Sequence, residues 1–227
     1  MKTSTAILTK QCKDSLHNFP SLMIMLIYPS VAWIMITAMG SEEDMSGFFV
    51  PMFAAMHGSF APIAISSNIL SEEKEKGTLR SLIMAGVSSV NYLISISLFV
   101  ILATMLTGCA FLLMGAFTRD HAVKFAAAML AGAVLSTLIG LCIGICSKNV
   151  TAANGIAVPV GLVLALLPML GRFNSTIDRV GELTYSGQMS RLMQDGTITV
   201  QMMAVLGAHF IALCVLLTLL FKHDKLK

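Results

Sequence analysis

The sequence predicts an all-helical protein that crosses a membrane six times, and two observations lead to this fold class. First, the chain of 227 residues is 56% hydrophobic and only 12% charged, with a mean hydropathy of +0.82. A soluble domain carries about twice that charged fraction. Second, the apolar residues form runs that are hydrophobic on every side rather than on one face. Helices with that pattern are solvated by lipid.

Six of these apolar runs are long enough to cross a bilayer. A helix needs about 20 residues to cross roughly 30 Å of hydrocarbon. We therefore divide the chain into an N-terminal helix, residues 1–20, and a six-span transmembrane domain, residues 21–227. The predicted spans cover residues 21–39, 48–70, 92–117, 125–146, 153–171 and 203–221.

The residues before the first span predict an amphipathic helix that lies in the membrane interface and ends at Pro20. A plain solvated helix is the alternative. The apolar residues recur every three or four positions, and the polar ones fall on another face. The apolar set is Leu8, Cys12, Leu16 and Phe19, and the polar set is Lys10, Lys13, Asp14 and His17.

The distribution of Lys and Arg predicts the orientation. Basic residues favour the cytoplasmic side of a membrane. With the N-terminus inside, ten basic residues lie on the cytoplasmic side and five on the other, so we expect both termini in the cytoplasm and the protein in the plasma or inner membrane. The ten are Lys2, Lys10, Lys13, Lys74, Lys76, Arg80, Lys148, Lys222, Lys225 and Lys227, and the five are Arg119, Lys124, Arg172, Arg179 and Arg191.

The fourth span contains Gly140 and Gly144, a GxxxG pattern that lets two helices approach closely. Packing within the chain and packing between two copies are both compatible with this pattern. The spacing alone therefore does not choose between them.

The segment from Arg172 to Met202 is too polar to span a membrane and too long for a simple turn. We expect a short outer helix there, capped by Ser186 and stopped by Gly196. Resting on the outer leaflet and covering the end of the bundle are both compatible with this composition. The apolar side of the helix would consist of Met189, Leu192 and Met193.

The spans contain no Asp, Glu, Lys or Arg, and His57 and His209 are their ionisable groups besides Tyr and Cys. A single membrane histidine is usually a hydrogen-bonded packing residue, and that is our interpretation of both. Ion-coupled transporters generally use intramembrane carboxylates or broken helices. The composition therefore argues against a self-sufficient channel or secondary transporter.

No catalytic or metal-binding motif and no ATP-binding motif occurs in the sequence. We therefore expect no enzymatic activity, no catalytic or metal site and no cofactor in this chain. If transport requires energy, ATP and Mg²⁺ would be bound by another subunit.

Between the second and third spans lies the segment SEEKEKGTLRSL, Ser71 to Leu82, with six charged side chains within nine residues. Thr78 is a candidate N-cap for a short helix from Leu79 to Ala85, followed by Gly86. Leu79, Leu82 and Ile83 would share its apolar face. A solvated connector is the alternative, but it leaves Glu72, Glu73 and Glu75 unexplained, because acidic residues contribute little to orientation.

The run from Glu72 to Leu79, EEKEKGTL, resembles the E-x-E-x-G-T-L signature of type-2 ABC exporter permeases. Six spans, an N-terminal interfacial helix, cytoplasmic termini and short helices between the last two spans are also similar. The resemblance implies that this segment couples an ATPase to the membrane helices. The residues it implies are Glu72, Glu73, Glu75, Lys76, Gly77, Thr78, Leu79 and Arg80.

The resemblance implies a permease that pairs with a second copy, identical or different, and rests on an ABC ATP-binding subunit. Its other contacts would be membrane lipid, and we expect no nucleic acid. The expected substrate is hydrophobic or amphipathic, with a small antimicrobial or cytolytic peptide as one candidate. Drug or sodium efflux, a self-sufficient channel or secondary transporter, and a membrane anchor or sensor are the alternatives.

Overall fold

A computed structural model describes residues 7, 9–11, 13–14, 18–39, 43–115 and 117–223. After the N-terminal segment, the described residues form nine helices and no strand. In chain order these are α1 (Phe19–Met39), α2 (Glu43–Glu75), α3 (Thr78–Met84), α4 (Ser89–Met114), α5 (Arg119–Cys146), α6 (Val150–Gly171), α7 (Ser175–Glu182), α8 (Tyr185–Asp195) and α9 (Val200–His223).

Six of the described helices are long and apolar enough to cross a membrane, as predicted: α1, α2, α4, α5, α6 and α9. Several extend beyond the predicted apolar runs. The α5 helix begins at Arg119 rather than residue 125, because the Thr118 side chain accepts a hydrogen bond from the N–H of His121 and caps the first turn. Six single crossings return the chain to the face from which α1 starts. We call this the terminal face, and the other the opposite face.

The α2 helix is the centre of the bundle and packs against α1, α4, α5 and α6. Most of its apolar stretch is buried within the chain, as is most of α5. In contrast, α9 and α1 expose most of their apolar side chains, among them Trp33 and Phe210. Such faces contact lipid or another protein in the membrane.

Gly140 and Gly144 of α5 pack directly against the backbone of α2. A Cβ atom on Gly140 would lie 2.5 Å from the carbonyl oxygen of Ile63, and one on Gly144 would lie 3.1 Å from that of Ser67. The GxxxG pattern is therefore used for packing within the chain. This close approach also leaves no room for a transport path between α2 and α5.

Replacing Gly140 by Ala should destabilise the fold. The added Cβ would lie 2.0 Å from the hydroxyl oxygen of Ser66 and 2.5 Å from the backbone carbonyl oxygen of Ile63, so α2 and α5 must separate, at a cost of about 1–3 kcal/mol. Gly155→Ala is the matched control, because a Cβ there has nothing within 4 Å. Thermal unfolding in detergent should show a lower midpoint for Gly140→Ala and an unchanged or higher midpoint for Gly155→Ala, because alanine favours a helix more than glycine does. Equal midpoints for both variants would contradict the packing described here.

The helices α7 and α8 return from the opposite face into the bundle. The hydroxyl of Tyr185, the first residue of α8, lies 2.7 Å from the hydroxyl of Ser136. Ser136 in turn donates to the carbonyl of Gly58 at 2.9 Å. At 1.5 Å per residue, Ser136 is about 25 Å along α5 from Arg119. Near the start of α5, His121 Nε2 lies 2.9 Å from the carbonyl oxygen of Met193.

The α8 helix thus runs antiparallel to α5 inside the bundle, which excludes the first of the two positions left open by the sequence, resting on the outer leaflet. The predicted apolar side of Met189, Leu192 and Met193 is buried, and Gly196 ends the helix with φ 61°. The predicted cap was wrong. Thr184, not Ser186, accepts the capping hydrogen bond from the N–H of Gly187, because the helix already begins at Tyr185.

Candidate functional site

The charged segment between the second and third spanning helices is mostly helical. Its first five residues, Ser71 to Glu75, continue α2 beyond the apolar span predicted to end at residue 70. The chain then turns at Gly77, whose φ of 70° lies in the left-handed region that favours glycine. A second such turn at Gly86, with φ 85°, follows α3. The short helix is therefore held between two glycine turns.

Two details of the predicted short helix were wrong. It begins at Thr78 and ends at Met84, whereas residues 79–85 were expected. Thr78 is not its cap, because Gly77 occupies the N-cap position and no side chain caps the helix. The predicted apolar face is confirmed. Leu79 is 4% exposed and belongs to the core cluster of Tyr92 and Leu93, with Leu82 and Ile83 packed against it.

Glu73 faces inward and joins α2 to the N-terminal segment. The residue is 7% exposed, and its carboxylate forms an ion pair with Lys10. Ile7 and Gln11, one helical turn apart, are also buried against the bundle. The predicted interfacial face of this segment lies largely outside the described residues, because Leu8, Cys12 and Leu16 are not described. The described part packs against the protein through a different set of side chains.

Lys74 joins α2 to the end of α5. Its ammonium group donates to the carbonyl oxygen of Ile145, in the last turn of α5. The final carbonyls of a helix have no partner within the helix and carry its negative dipole end. The lysine therefore stabilises the end of α5 while fixing its distance from α2.

Glu75 joins α2 to the start of α6. Its Oε2 atom accepts a hydrogen bond of 3.1 Å from the backbone N–H of Val150, the first residue of α6. The Asn149 side chain caps the same helix by accepting from the N–H of Ala152 at 2.8 Å. An acidic group at a helix N-terminus interacts favourably with the helix dipole.

Glu72 and Lys76 form the surface part of the segment. They are paired one helical turn apart at 2.5 Å, with the Lys76 side chain 66% exposed. The hydrogen bond and charge of Glu72 raise the pKa of Lys76. An exposed pair of this kind contributes little to stability. Its charges therefore remain accessible to a partner. The side chain of Arg80, also predicted for the site, lies outside the described residues.

The exposed side of α3 contains a residue that the sequence interpretation missed. Met84 is 73% exposed and lies on the side of α3 away from Leu79, near exposed Ser81 and Ala85. The apolar spacing assigned Leu79, Leu82 and Ile83 to the buried face and gave Met84 no role. Its position five residues after Leu79 places it on the other side of the helix.

A cavity of about 640 Å³ lies at the terminal face, between the N-terminal segment, the start of α1 and the end of α2. Lys10, Gln11, Glu73 and Thr78 are among its lining residues. Within the described part of the chain, Gln11 Nε2 and Glu73 Oε2 are buried without a hydrogen-bond partner. The Glu73–Lys10 contact therefore borders open space rather than a packed core.

The two membrane histidines are hydrogen-bonded, as expected for packing residues. His57 is fully buried, and its Nε2 lies 2.9 Å from the hydroxyl of Thr107 on α4. His209 Nδ1 lies 2.9 Å from the carbonyl oxygen of Val205, one turn earlier in α9. His57 thus links α2 to α4, while this hydrogen bond of His209 is local to its own helix.

Comparisons with protein-family models, curated proteins and solved structures found no match for this chain.

Proposed function

We propose that this protein is the membrane-spanning permease of an ABC transporter, exporting a hydrophobic or amphipathic substrate with ATP hydrolysed by a separate subunit. Two features support the proposal. The E-x-E-x-G-T-L sequence runs from the end of the spanning helix α2 into the short helix α3, which lies at the terminal face before the next span. In this proposal the terminal face is cytoplasmic, consistent with its excess of Lys and Arg.

The single observation that carries the proposal is the inward network of the charged segment. Three consecutive residues, Glu73, Lys74 and Glu75, contact the N-terminal segment, the end of α5 and the start of α6. Because α2 itself is the central helix, a displacement of this segment would reach most of the bundle. A connector that only had to be soluble would not need these long-range contacts.

In the proposed mechanism the ATP-binding subunit contacts the exposed side of α3. The buried side chain of Leu79 connects α3 to the core, so that a displacement of α3 would also move the C-terminal end of α2. The cavity beside Glu73 provides space for this motion. Closure of the ATP-binding subunits would thus be converted into a rearrangement of the spanning helices.

The substrate path in this proposal lies between two copies of the permease. Within one chain, α2 and α5 are in backbone contact at the GxxxG glycines, and α8 fills the bundle from the opposite face. The exposed apolar side chains of α1, α6 and α9 leave large surfaces for a second copy or lipid. An apolar lining suits a hydrophobic or amphipathic substrate, including a small peptide.

Affinity purification of the chain from its native membrane tests the proposed partner. We expect an ATP-binding subunit to co-purify in stoichiometric amount and its ATP hydrolysis to rise severalfold in the complex. Purification of the chain without such a subunit from membranes that retain transport activity would contradict the proposal. That result would favour a self-sufficient channel or secondary transporter.

A further inference from the structure

A second polar cavity, of about 310 Å³, lies near the opposite face, between the end of α6, the short helix α7 and the helix α8. Four charged residues line it: Arg172, Asp178, Arg191 and Asp195. Cavities of this size accommodate small ligands. The way in which the four charges are paired indicates what the cavity can bind.

Arg191 is already paired with two carboxylates, so this side of the cavity offers no unpaired cation. The Arg191 guanidinium donates to Asp178 at 2.8 Å and to Glu182 at 2.9 Å. The neighbouring amide of Gln194 donates to the hydroxyl of Ser190 at 3.0 Å. This side of the cavity is therefore a completed hydrogen-bond network.

Arg172 has no such partner. Its Nε and Nη2 atoms are buried and make no hydrogen bond within the described residues, while its Cζ atom lies 4.5 Å from the centre of the Phe48 ring. Burial lowers the pKa of Arg172, and the nearby charge of Asp195 acts in the other direction. Stacking on an aromatic ring stabilises the cation but satisfies no N–H group. Arg172 therefore brings a cation with unsatisfied N–H groups to the lining of the cavity.

Asp195 supplies the complementary charge. Its side chain is exposed at the end of α8 and forms no ion pair or hydrogen bond with any residue in the described part of the chain. Arg172 and Asp195 line the same cavity and influence each other electrostatically without forming an ion pair. A ligand that carries both an anion and a cation can bridge two such groups.

The surroundings of the cavity place it at the membrane interface. Arg172 follows directly after Gly171, where the spanning helix α6 ends. Two large apolar side chains close to Arg172 in the sequence are exposed: Leu170 and Phe173. Their contact with acyl chains would release water from apolar surface, which favours a ligand that is anchored in the bilayer.

We propose that this cavity binds the headgroup of a phospholipid with a primary ammonium group, such as phosphatidylethanolamine, from the leaflet at the opposite face. Arg172 donates to the phosphodiester oxygens, and Asp195 accepts from the ammonium. A quaternary ammonium has no N–H to donate, so phosphatidylcholine cannot form the hydrogen bond to Asp195. This inference does not depend on the proposed transport function.

Native mass spectrometry of the purified full chain, titrated with defined lipids, tests the site. We expect phosphatidylethanolamine to bind at least about tenfold more tightly than phosphatidylcholine, since charge-assisted hydrogen bonds are the strong ones. Arg172→Gln should weaken binding of both lipids. Asp195→Asn should lower the affinity for phosphatidylethanolamine to that for phosphatidylcholine. Arg179→Gln, an exposed arginine on α7 that does not line the cavity, should change neither.

Three outcomes would overturn the proposal. One is equal affinity of the unmodified chain for the two lipids. Another is unchanged phosphatidylethanolamine binding in Asp195→Asn, which alters an exposed residue and should fold even if Arg172→Gln does not. The third concerns the source of the headgroup. Soluble glycerophosphoethanolamine should compete only at concentrations far above those of the lipid, and competition at equal concentration would exclude the bilayer as the source.

Discussion

Glu73→Lys should reduce the proposed ATP-driven transport at least tenfold while the protein still reaches the membrane. The substitution places a second cation beside Lys10 at a position where only 7% of the residue is exposed. Removing one partner of a buried ion pair costs about 3–5 kcal/mol in proteins, and the partial exposure of Lys10 should lessen that cost here. The N-terminal segment would separate from α2. Transport into inverted vesicles, normalised to the amount of chain, measures the effect.

Restoring the opposite charges should restore transport. The double variant Lys10→Glu, Glu73→Lys keeps one charge of each sign, so we expect most of the activity to return. Glu72→Lys is the matched control, because its pair with Lys76 lies on the surface and contributes little. The role assigned to the Glu73–Lys10 pair would be wrong if Glu73→Lys behaved like Glu72→Lys, or if the double variant were no better than the single one.

Met84→Glu should weaken association with the ATP-binding subunit by about tenfold or more. Met84 is the large apolar residue on the exposed side of α3, and apolar anchors of this kind supply much of the binding free energy at interfaces. A carboxylate there would have to lose its hydration on docking. The measurement is the dissociation constant between the chain in nanodiscs and the proposed ATP-binding subunit in purified form.

Thr151→Glu controls for the added charge at the same face. Thr151 is exposed in the first turn of α6, where an acidic residue interacts favourably with the helix dipole. The affinity of the Thr151→Glu variant for the ATP-binding subunit should match that of the unmodified chain. Unchanged affinity in Met84→Glu would place the docking surface elsewhere on the terminal face.

The spanning helices were predictable because hydrophobic length is a local property of the sequence. The ends of these helices were less predictable. Predicted spans stopped where the apolar residues stopped, but α2 continues through Glu75 because its charged side chains find partners on other elements. Those partners lie 63 to 75 residues away in the sequence. No local pattern identifies them.

The same reason explains why the charged segment was only partly understood. The resemblance implied a surface for another protein, and the exposure of Lys76 agrees with that interpretation. Glu73 does not, because it is buried against Lys10. The unforeseen part is that the segment binds its own chain on one side while α3 exposes Met84 on the other.

The position of α8 could not be read from its composition. Ser186, Gln188 and Ser190 are polar, yet all three are buried. Their burial is accommodated by contacts such as the hydrogen bond from the Gln188 side chain to the carbonyl of Glu182, at 2.5 Å. Polar residues can enter a membrane bundle when such partners satisfy them.

Reconstitution into liposomes tests the central claim that a separate ATPase drives this chain through its charged segment. The chain is reconstituted with and without its ATP-binding subunit, and substrate movement is followed with ATP or with an imposed ion gradient. We predict transport only when both the subunit and ATP are present. Transport by the chain alone, driven by the ion gradient, would contradict the account.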